Sequence, residues 1–99
     1  GCSTLEQMSS LRASIAFVGA ASIDEHFATL TPTQDKVSLK RAIRNIAQKT
    51  YLLADASKFH SSALYFVDHL SDYDGVITDA IFTESEQRLL GKKTRLITP

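Results

Sequence analysis

Blocks of apolar and polar residues alternate along the chain, and their periods predict strands and helices in turn. Short apolar runs at 14–20, 50–55, 75–79 and 94–98 lack a polar face, which predicts strands buried on both sides. Residues 34–48 carry apolar side chains at helical spacing, with an acidic residue near the start and basic residues near the end. This segment is predicted to be an amphipathic helix.

The remaining segments give weaker signals. Apolar residues recur at helical spacing over 5–11, and a Thr-x-x-Glu capping box from Thr83 to Glu86 predicts the start of a further helix. Residues 21–33 are predicted to form a loop, and 63–67 are consistent with either an edge strand or a helical turn. Alternation of strands and helices predicts an α/β fold with a mostly parallel sheet.

Composition narrows the classes of protein to consider. The 99 residues predict one small domain, and 43% hydrophobic residues are typical of a globular protein. Eleven basic residues balance eleven acidic ones, which disfavours DNA binding by this segment alone. No apolar run reaches the length of a membrane span, and the single cysteine, Cys2, fits a reducing cytoplasm. The three histidines show no metal-ligand spacing, so no metal or cofactor is expected.

Both ends of the sequence resemble the interior of a longer protein. The chain has no initiator methionine and stops directly after an apolar segment. We therefore expect residues 1–99 to form one partial domain of a larger chain.

Polar residues follow three of the predicted strands. Asp24 follows the first, Asp55 and Lys58 follow the second, and Asp79 ends the third. Ligands of open α/β sheets bind outside the carboxyl ends of the strands, so these loops are expected to share one binding edge. Each aspartate could instead be a turn cap. Their coincidence, with Lys40 nearby on the helix, favours a site for a small anionic ligand.

Four blocks in this order resemble one family: AFVGAASID, LKRAI, LLADASKF and LSDYDGVITDA. Together they resemble the C-terminal effector domain of DeoR-family bacterial transcriptional regulators, over nearly the whole chain. The resemblance implies a Rossmann-like fold similar to ribose-5-phosphate isomerase and glucosamine-6-phosphate deaminase. It also implies a cytoplasmic homo-oligomer that binds a phosphorylated sugar or related metabolite. Operator DNA would be bound only by a winged helix-turn-helix outside these 99 residues, and the first part of the effector domain would also lie outside them.

The resemblance implies a role for each polar residue of the site. Lys58 would contact the phosphate, and Asp55 would orient it or accept a sugar hydroxyl. Asp24 would lie near the sugar hydroxyls. Lys40 would stand where the isomerases have a glutamate base, which argues against isomerisation because a protonated lysine is not a base. Asp79 would complete the effector-binding set.

Four positions depart from the usual pattern of that family. They are Ser22 and Ala28, where glycines are common, His60, which follows Ser-Lys-Phe in place of a glycine, and Lys36, where an acidic residue is frequent. These departures concern the identity of the effector more than the fold.

Three other functions compete with a sensor domain. An isomerase or deaminase would need a base among Asp24, Asp55 and Asp79. A phospho-receiver domain would need an acidic pair after the first strand to hold Mg²⁺, and that place has the sequence GAAS. An oligomerisation module would use the apolar segment 63–67 against another subunit.

Overall fold

The computed structural model describes residue 7 and residues 11–99. The helix predicted over 5–11 therefore lies almost entirely outside the described residues. Residues 11–99 form two α-helices and seven strands, with two short 3₁₀ turns at Ala56–Lys58 and Leu70–Asp72. In chain order the strands and helices are β1 Ala13–Gly19, β2 Ser22–Ile23, β3 Ala28–Thr31, α1 Gln34–Ile46, β4 Ala47–Leu53, β5 Tyr65–His69, β6 Gly75–Ile77, α2 Glu84–Gly91 and β7 Arg95–Ile97.

Four parallel strands form the central sheet, in the order β1-β4-β6-β7. All four apolar runs predicted as strands are present in it, which confirms the predicted α/β fold. Helix α1 contacts β1, β4 and β5, with Val37 buried. Helix α2 begins at the predicted capping box: Thr83 Oγ1 accepts from the Glu86 amide at 3.2 Å, and Glu86 Oε1 accepts from the Thr83 amide at 2.8 Å.

Helix α1 and strand β4 are joined without a loop. Ile46 is the last helical residue, and Ala47 already has extended backbone angles, with φ −93° and ψ 142°. The predicted helix over 34–48 therefore ends two residues early, because the first residues of β4 pair with β1 from Ala13 onward. One uninterrupted stretch of regular backbone runs from the start of α1 to the end of β4.

A second sheet, with the order β2-β3-β5, is antiparallel. The prediction of a loop over 21–33 is wrong here, because this segment contains the β2–β3 hairpin. All four residues of β3 are buried, including Thr29 and Thr31, so its alternating apolar and polar residues do not correspond to a buried and an exposed face. The segment 63–67, left open between strand and helical turn, lies partly in β5.

The main core lies on the face of the central sheet that is covered by α1 and the second sheet. Val18, Leu52 and Val76 project from successive strands of that face and are at most 3% exposed. Ile23 and Leu70 pack against them from the second sheet and the turn that follows it, and both are fully buried. This packing fixes the position of the second sheet against the central one.

On the opposite face of the central sheet, residues 11–99 leave several apolar side chains exposed. Ile15 and Phe17 of β1 are 52% and 58% exposed, and Leu53 of β4 is 43% exposed. The Phe17 ring stacks on Tyr51, with centroids 5.8 Å apart, and the Tyr51 ring covers Gly75 so closely that a Cβ there would lie 2.7 Å from it. We call Ile15, Phe17, Tyr51 and Leu53 the apolar face. The prediction of burial on both sides is therefore wrong for β1 and β4, since residues 11–99 cover only one side of these two strands.

A buried carboxylate joins the second sheet to α1 and to the residue Tyr73, which precedes β6. Asp68 of β5 is 2% exposed. Its Oδ1 accepts from the hydroxyl of Thr29 at 2.5 Å, and its Oδ2 accepts from the hydroxyl of Tyr73 at 3.0 Å. The Nε of Arg44, on α1, lies 2.9 Å from Oδ2, and the guanidinium stacks over the Tyr73 ring. We call Asp68, Thr29, Tyr73 and Arg44 the Asp68 network.

Asp68→Ala is expected to lower the free energy of unfolding by about 3 kcal/mol. Loss of one partner from a buried ion pair typically costs about 3–5 kcal/mol. The lower end of this range applies because the Arg44 side chain is 26% exposed. Urea denaturation of the full-length protein, followed by circular dichroism, measures the effect. Glu84→Ala, at an exposed position of α2, is the control and should change stability by less than about 0.5 kcal/mol. Equal effects of the two variants would contradict the structural role of Asp68.

Tyr73 should make stability fall at alkaline pH. Burial, followed by the nearby Asp68 charge, raises the pKa of the phenol far above its ordinary value of 10.0. Above about pH 10 the unfolded chain releases this proton while the folded chain retains it, so the free energy of unfolding falls by at most about 1.4 kcal/mol per pH unit. At pH 8 both states hold the proton, and this contribution is fully present.

Tyr73→Phe removes that titration together with one hydrogen bond. The variant should be about 1 kcal/mol less stable than the wild type at pH 8, and this difference should shrink or reverse at pH 11. Urea denaturation at the two pH values measures it. A difference that stays constant between pH 8 and pH 11 would show that the phenol does not titrate differently in the folded state.

Candidate functional site

Three loops emerge side by side at the carboxyl edge of the central sheet. The parallel hydrogen-bond pattern continues one residue past each strand: the amides of Ala20, Ala54 and Thr78 donate to the last residue of the neighbouring strand at 3.0–3.3 Å. We call these loops, residues 20–24, 54–60 and 78–82, the rim. The rim is where an open α/β sheet binds its ligands.

Lys58 ends a 3₁₀ turn that Asp55 builds. The Asp55 carboxylate accepts from the amide of Ser57 at 2.9 Å and from its hydroxyl, and the Lys58 amide donates to the Asp55 carbonyl at 3.1 Å. The Lys58 side chain is partly exposed. Its ammonium has no hydrogen bond or ion pair with any residue that the structure describes. A rigid turn therefore presents a cation that is not committed to the protein.

Asp79 ties two rim loops together. Its Oδ1 accepts from the Ala56 amide at 2.7 Å, so the loop after β6 holds the first residue of the turn that carries Lys58. The hydrogen bonds from Ser57 lower the pKa of the Asp55 carboxyl, which keeps that group ionised. Both aspartates use Oδ1 for these backbone contacts, and among the described residues neither Oδ2 accepts a hydrogen bond. Each carboxylate is a turn cap that retains one free acceptor.

Asp24 reaches the rim by way of the second sheet. It follows β2, and its Oδ1 accepts from the amides of His26 and Ala28 at 2.9 and 3.0 Å, which closes the β2–β3 hairpin. The neighbouring Ile23 forms a parallel bridge with Phe59. Asp24 therefore lies beside the end of the loop that carries Lys58, and its carboxylate is engaged in the hairpin turn.

Lys40 lies at the carboxyl end of β1. Its Nζ donates to the Gly19 carbonyl at 2.7 Å. The side chain is partly buried, and this burial, followed by repulsion from Lys36, lowers the pKa of the ammonium. Lys40 is therefore not a solvated surface lysine: it binds a strand-end carbonyl next to the rim.

Two left-handed residues near the rim were not identified as special by the periodicity of the sequence. Phe27 has φ 60° and His60 has φ 55°, a region that favours glycine. Phe27 occupies the last position of the β2–β3 turn, and its ring contacts Phe82 edge to face at a centroid distance of 6.2 Å. The only signal for His60 was its place after Ser-Lys-Phe, where the resemblance to the DeoR family implies a glycine.

Two cavities open at the rim. The larger, of about 640 Å³, lies beside Asp79 and is bounded by Arg95 and the segment after β7. The smaller, of about 140 Å³, lies between Ala56 and the segment 80–82 and is lined by aromatic rings together with His60. Space for a small molecule is therefore available on both sides of the loop that carries Asp79.

The chemistry of the rim suits binding. It combines one uncommitted ammonium with two carboxylates that each keep a free oxygen and with aromatic side chains. Within residue 7 and residues 11–99, no group of three or more histidine, cysteine, aspartate or glutamate side chains is placed to hold a metal ion. No helix among these residues is long and apolar enough to cross a membrane.

Comparison with known proteins identifies relatives of one kind. The chain is 40% identical over 63 residues to the uncharacterized HTH-type transcriptional regulator YgbI of Escherichia coli, covering 64% of this chain and 25% of that protein. It is 33% identical over 81 residues to the HTH-type transcriptional repressor GlcR of Bacillus subtilis, covering 82% and 31%. It is 30% identical over 97 residues to the glycerol-3-phosphate regulon repressor of Haemophilus influenzae, covering 98% and 38%.

The chain thus spans about a quarter to two fifths of the length of these relatives. They are named as transcriptional regulators and repressors, and none of the three is named as an isomerase or deaminase. Residues 1–80, most of the chain, match the family described as the DeoR C terminal sensor domain. The family expected from the four sequence blocks is confirmed: the chain belongs to the DeoR C-terminal sensor domain family.

Proposed function

We propose that this domain binds a phosphorylated sugar or a related phosphorylated metabolite at the rim, and that binding controls the attachment of the full-length repressor to its operator. The observation that carries the proposal is the uncommitted Lys58 ammonium on a turn held from both sides, by Asp55 within the turn and by Asp79 from the next loop. A phosphate monoester is compact and doubly charged, so a positioned ammonium is a suitable partner for it.

The other rim residues fit the rest of such a ligand. The free Oδ2 atoms of Asp55 and Asp79 could accept hydrogen bonds from sugar hydroxyls. The Asp24 carboxylate holds the hairpin on the opposite side of the Lys58 loop, and Lys40 keeps the end of β1 in place through the Gly19 carbonyl. We therefore assign Lys58 to the phosphate, Asp55 and Asp79 to hydroxyl groups, and Asp24 and Lys40 to the shape of the site.

The name of one relative supports a phosphorylated metabolite as the class of ligand. The Haemophilus influenzae protein is named a repressor of the glycerol-3-phosphate regulon, and it aligns with 98% of this chain. Glycerol 3-phosphate is a small phosphate monoester with free hydroxyls. It therefore combines the two kinds of group that the rim is proposed to bind.

We further propose that the rest of the full-length protein completes this domain over the apolar face. Sheets of parallel strands are normally covered on both sides, and here Phe17 and its neighbours are half exposed. The relatives contain more than half of their length outside the aligned region, which is enough chain to supply a covering layer and a separate DNA-binding domain. DNA binding, assembly into a homo-oligomer and a cytoplasmic location are properties proposed for that full-length protein.

Lys58→Ala in the full-length repressor should weaken binding of the effector by roughly ten- to a hundredfold. This range follows from the loss of a hydrogen bond to a charged group, about 1.5–3 kcal/mol. Titration calorimetry with glycerol 3-phosphate, ribose 5-phosphate and glucose 6-phosphate measures the loss. A DNA gel shift should show normal operator binding and a failure to release DNA at effector concentrations sufficient for the wild type.

Lys93→Ala is the matched control for Lys58, since it removes an exposed lysine that precedes β7, at the end of the strand away from the rim. It should leave effector affinity within about twofold. If Lys58→Ala binds and responds to the sugar phosphates as the wild type does, the turn is only structural and the proposed function is wrong. If neither protein binds any phosphate but both form oligomers, the domain is an oligomerisation module.

Phe17→Ala tests whether the apolar face is covered in the full-length protein. A covered Phe17 should cost about 3–5 kcal/mol of stability when truncated. Leu89→Ala is the matched control because Leu89 on α2 is 60% exposed, compared with 58% for Phe17. Urea denaturation should show a large loss for Phe17→Ala and less than about 1 kcal/mol for Leu89→Ala. Equal small losses would mean that the face stays open.

A further inference from the structure

The backbone around His60 is fixed on both sides. Before it, Phe59 forms the bridge with Ile23. After it, the Ser61 amide donates to the Ile23 carbonyl at 3.2 Å, and the Ser61 hydroxyl donates to the Lys58 carbonyl at 2.6 Å. With both neighbours tied to β2 or to the 3₁₀ turn, residue 60 has to make the left-handed turn at φ 55°. Glycine would make this turn without steric conflict, whereas histidine makes it at a cost.

Nothing in the described protein compensates for the histidine. The other left-handed residue, Phe27, packs its ring against Phe82 and the core, so burial offsets its strain. The His60 side chain is exposed and makes no hydrogen bond, ion pair or ring contact with the described residues. Strained residues that the surroundings hold in place without an internal benefit occur preferentially at binding sites. A bound ligand would therefore supply the contact that the described residues do not give this side chain.

The imidazole borders the smaller cavity of the rim. That cavity has a volume of about 140 Å³, and its wall includes Ala56, the residue whose amide Asp79 holds. Phe59 and Phe82 form an apolar floor, with ring centroids 5.4 Å apart and nearly perpendicular planes. Glu86 also lines this cavity, so an aromatic surface lies beside two hydrogen-bonding side chains, an imidazole and a carboxylate. Such a surface suits the carbon skeleton and the hydroxyls of a sugar.

We propose that His60 is a specificity-determining residue of the effector site, and that its imidazole hydrogen-bonds a hydroxyl of the bound sugar phosphate while Lys58 binds the phosphate. The inference rests on the proposed function and adds which part of the ligand contacts the smaller cavity. Imidazole can donate or accept, so it can pair with a hydroxyl in either sense. A glycine at position 60 would leave that hydroxyl without this partner.

Two substitutions separate the strain from the hydrogen bond. His60→Gly relieves the left-handed strain and removes the hydrogen-bonding group. His60→Asn tolerates the left-handed backbone and retains a side chain that can donate and accept. His26→Asn, at an exposed position of the hairpin turn, is the matched control.

The experiment uses the full-length repressor. Affinities are measured by calorimetry for glycerol 3-phosphate, ribose 5-phosphate, glucose 6-phosphate and inorganic phosphate. His60→Gly should raise the melting temperature of the ligand-free protein and weaken the tightest of the three sugar phosphates at least fivefold. Its affinity for inorganic phosphate should stay within twofold, since Lys58 is intact. Selectivity is expressed as the ratio of the affinity for the sugar phosphate to the affinity for inorganic phosphate. His60→Asn should recover at least half of the selectivity that His60→Gly loses. His26→Asn should behave as the wild type.

Failure of the inference can be told apart from failure of the proposed function. If His60→Gly raises the melting temperature and leaves the ratio of sugar phosphate to inorganic phosphate affinity unchanged within twofold, His60 does not determine specificity, and the proposed function stands. If the wild-type protein binds none of the four probes, the proposed function is wrong, and the inference is overturned with it.

Discussion

The buried charge of Asp68 is the constraint on which the arrangement of the two sheets depends. A carboxylate that is 2% exposed has lost its hydration, and it is stable only because three groups replace the lost water. These groups come from β3, α1 and the turn after β5, so their positions are fixed relative to one another. The same requirement orients Arg44 over the Tyr73 ring. Hydrophobic packing brings the two sheets together, and the Asp68 network selects one relative position.

In the proposed site, the same residue type would serve both structure and binding. Asp55, Asp79 and Asp24 each accept a backbone amide, as turn caps do. These contacts give the loops a defined shape without a ligand. Binding then requires little reorganisation, because the cation and the free acceptors are already in place. For Asp55 and Asp79 the role of turn cap and the proposed ligand contact are therefore compatible, since the cap would make the contact rigid.

The strands of the central sheet and α1 were predictable because the pattern of apolar residues within each segment indicates its secondary structure. Apolar runs of five to seven residues and a helical stripe do not depend on distant parts of the chain. The second sheet was not predictable in this way. Strand β3 is buried on both faces and contains two threonines, and Phe27 stands where the glycine of a hairpin turn is expected. The open side of β1 could not be inferred either, because a run of apolar residues does not say which layer covers it.

The candidate site was predictable in position and less so in its contacts. The order of the strands is enough to bring Asp55, Lys58 and Asp79 to one edge, because parallel strands end together. The pairing of Asp79 with the Ala56 amide and of Lys40 with the Gly19 carbonyl depends on distances across 21 or more positions of the chain. Such contacts follow from the packed structure, which local sequence patterns do not contain.

The direct passage from α1 into β4 has a mechanical consequence. A hinge needs residues whose backbone angles can change, and residues 34–53 are all in regular hydrogen-bonded structure. A force applied at the end of β4, next to Asp55, is therefore transmitted along the strand to the helix without being absorbed by a loop. Arg44 lies on α1, and its ion pair with Asp68 connects the helix to the second sheet. Movement of the second sheet relative to α1 would require breaking that ion pair, so the pair couples the helix to the second sheet.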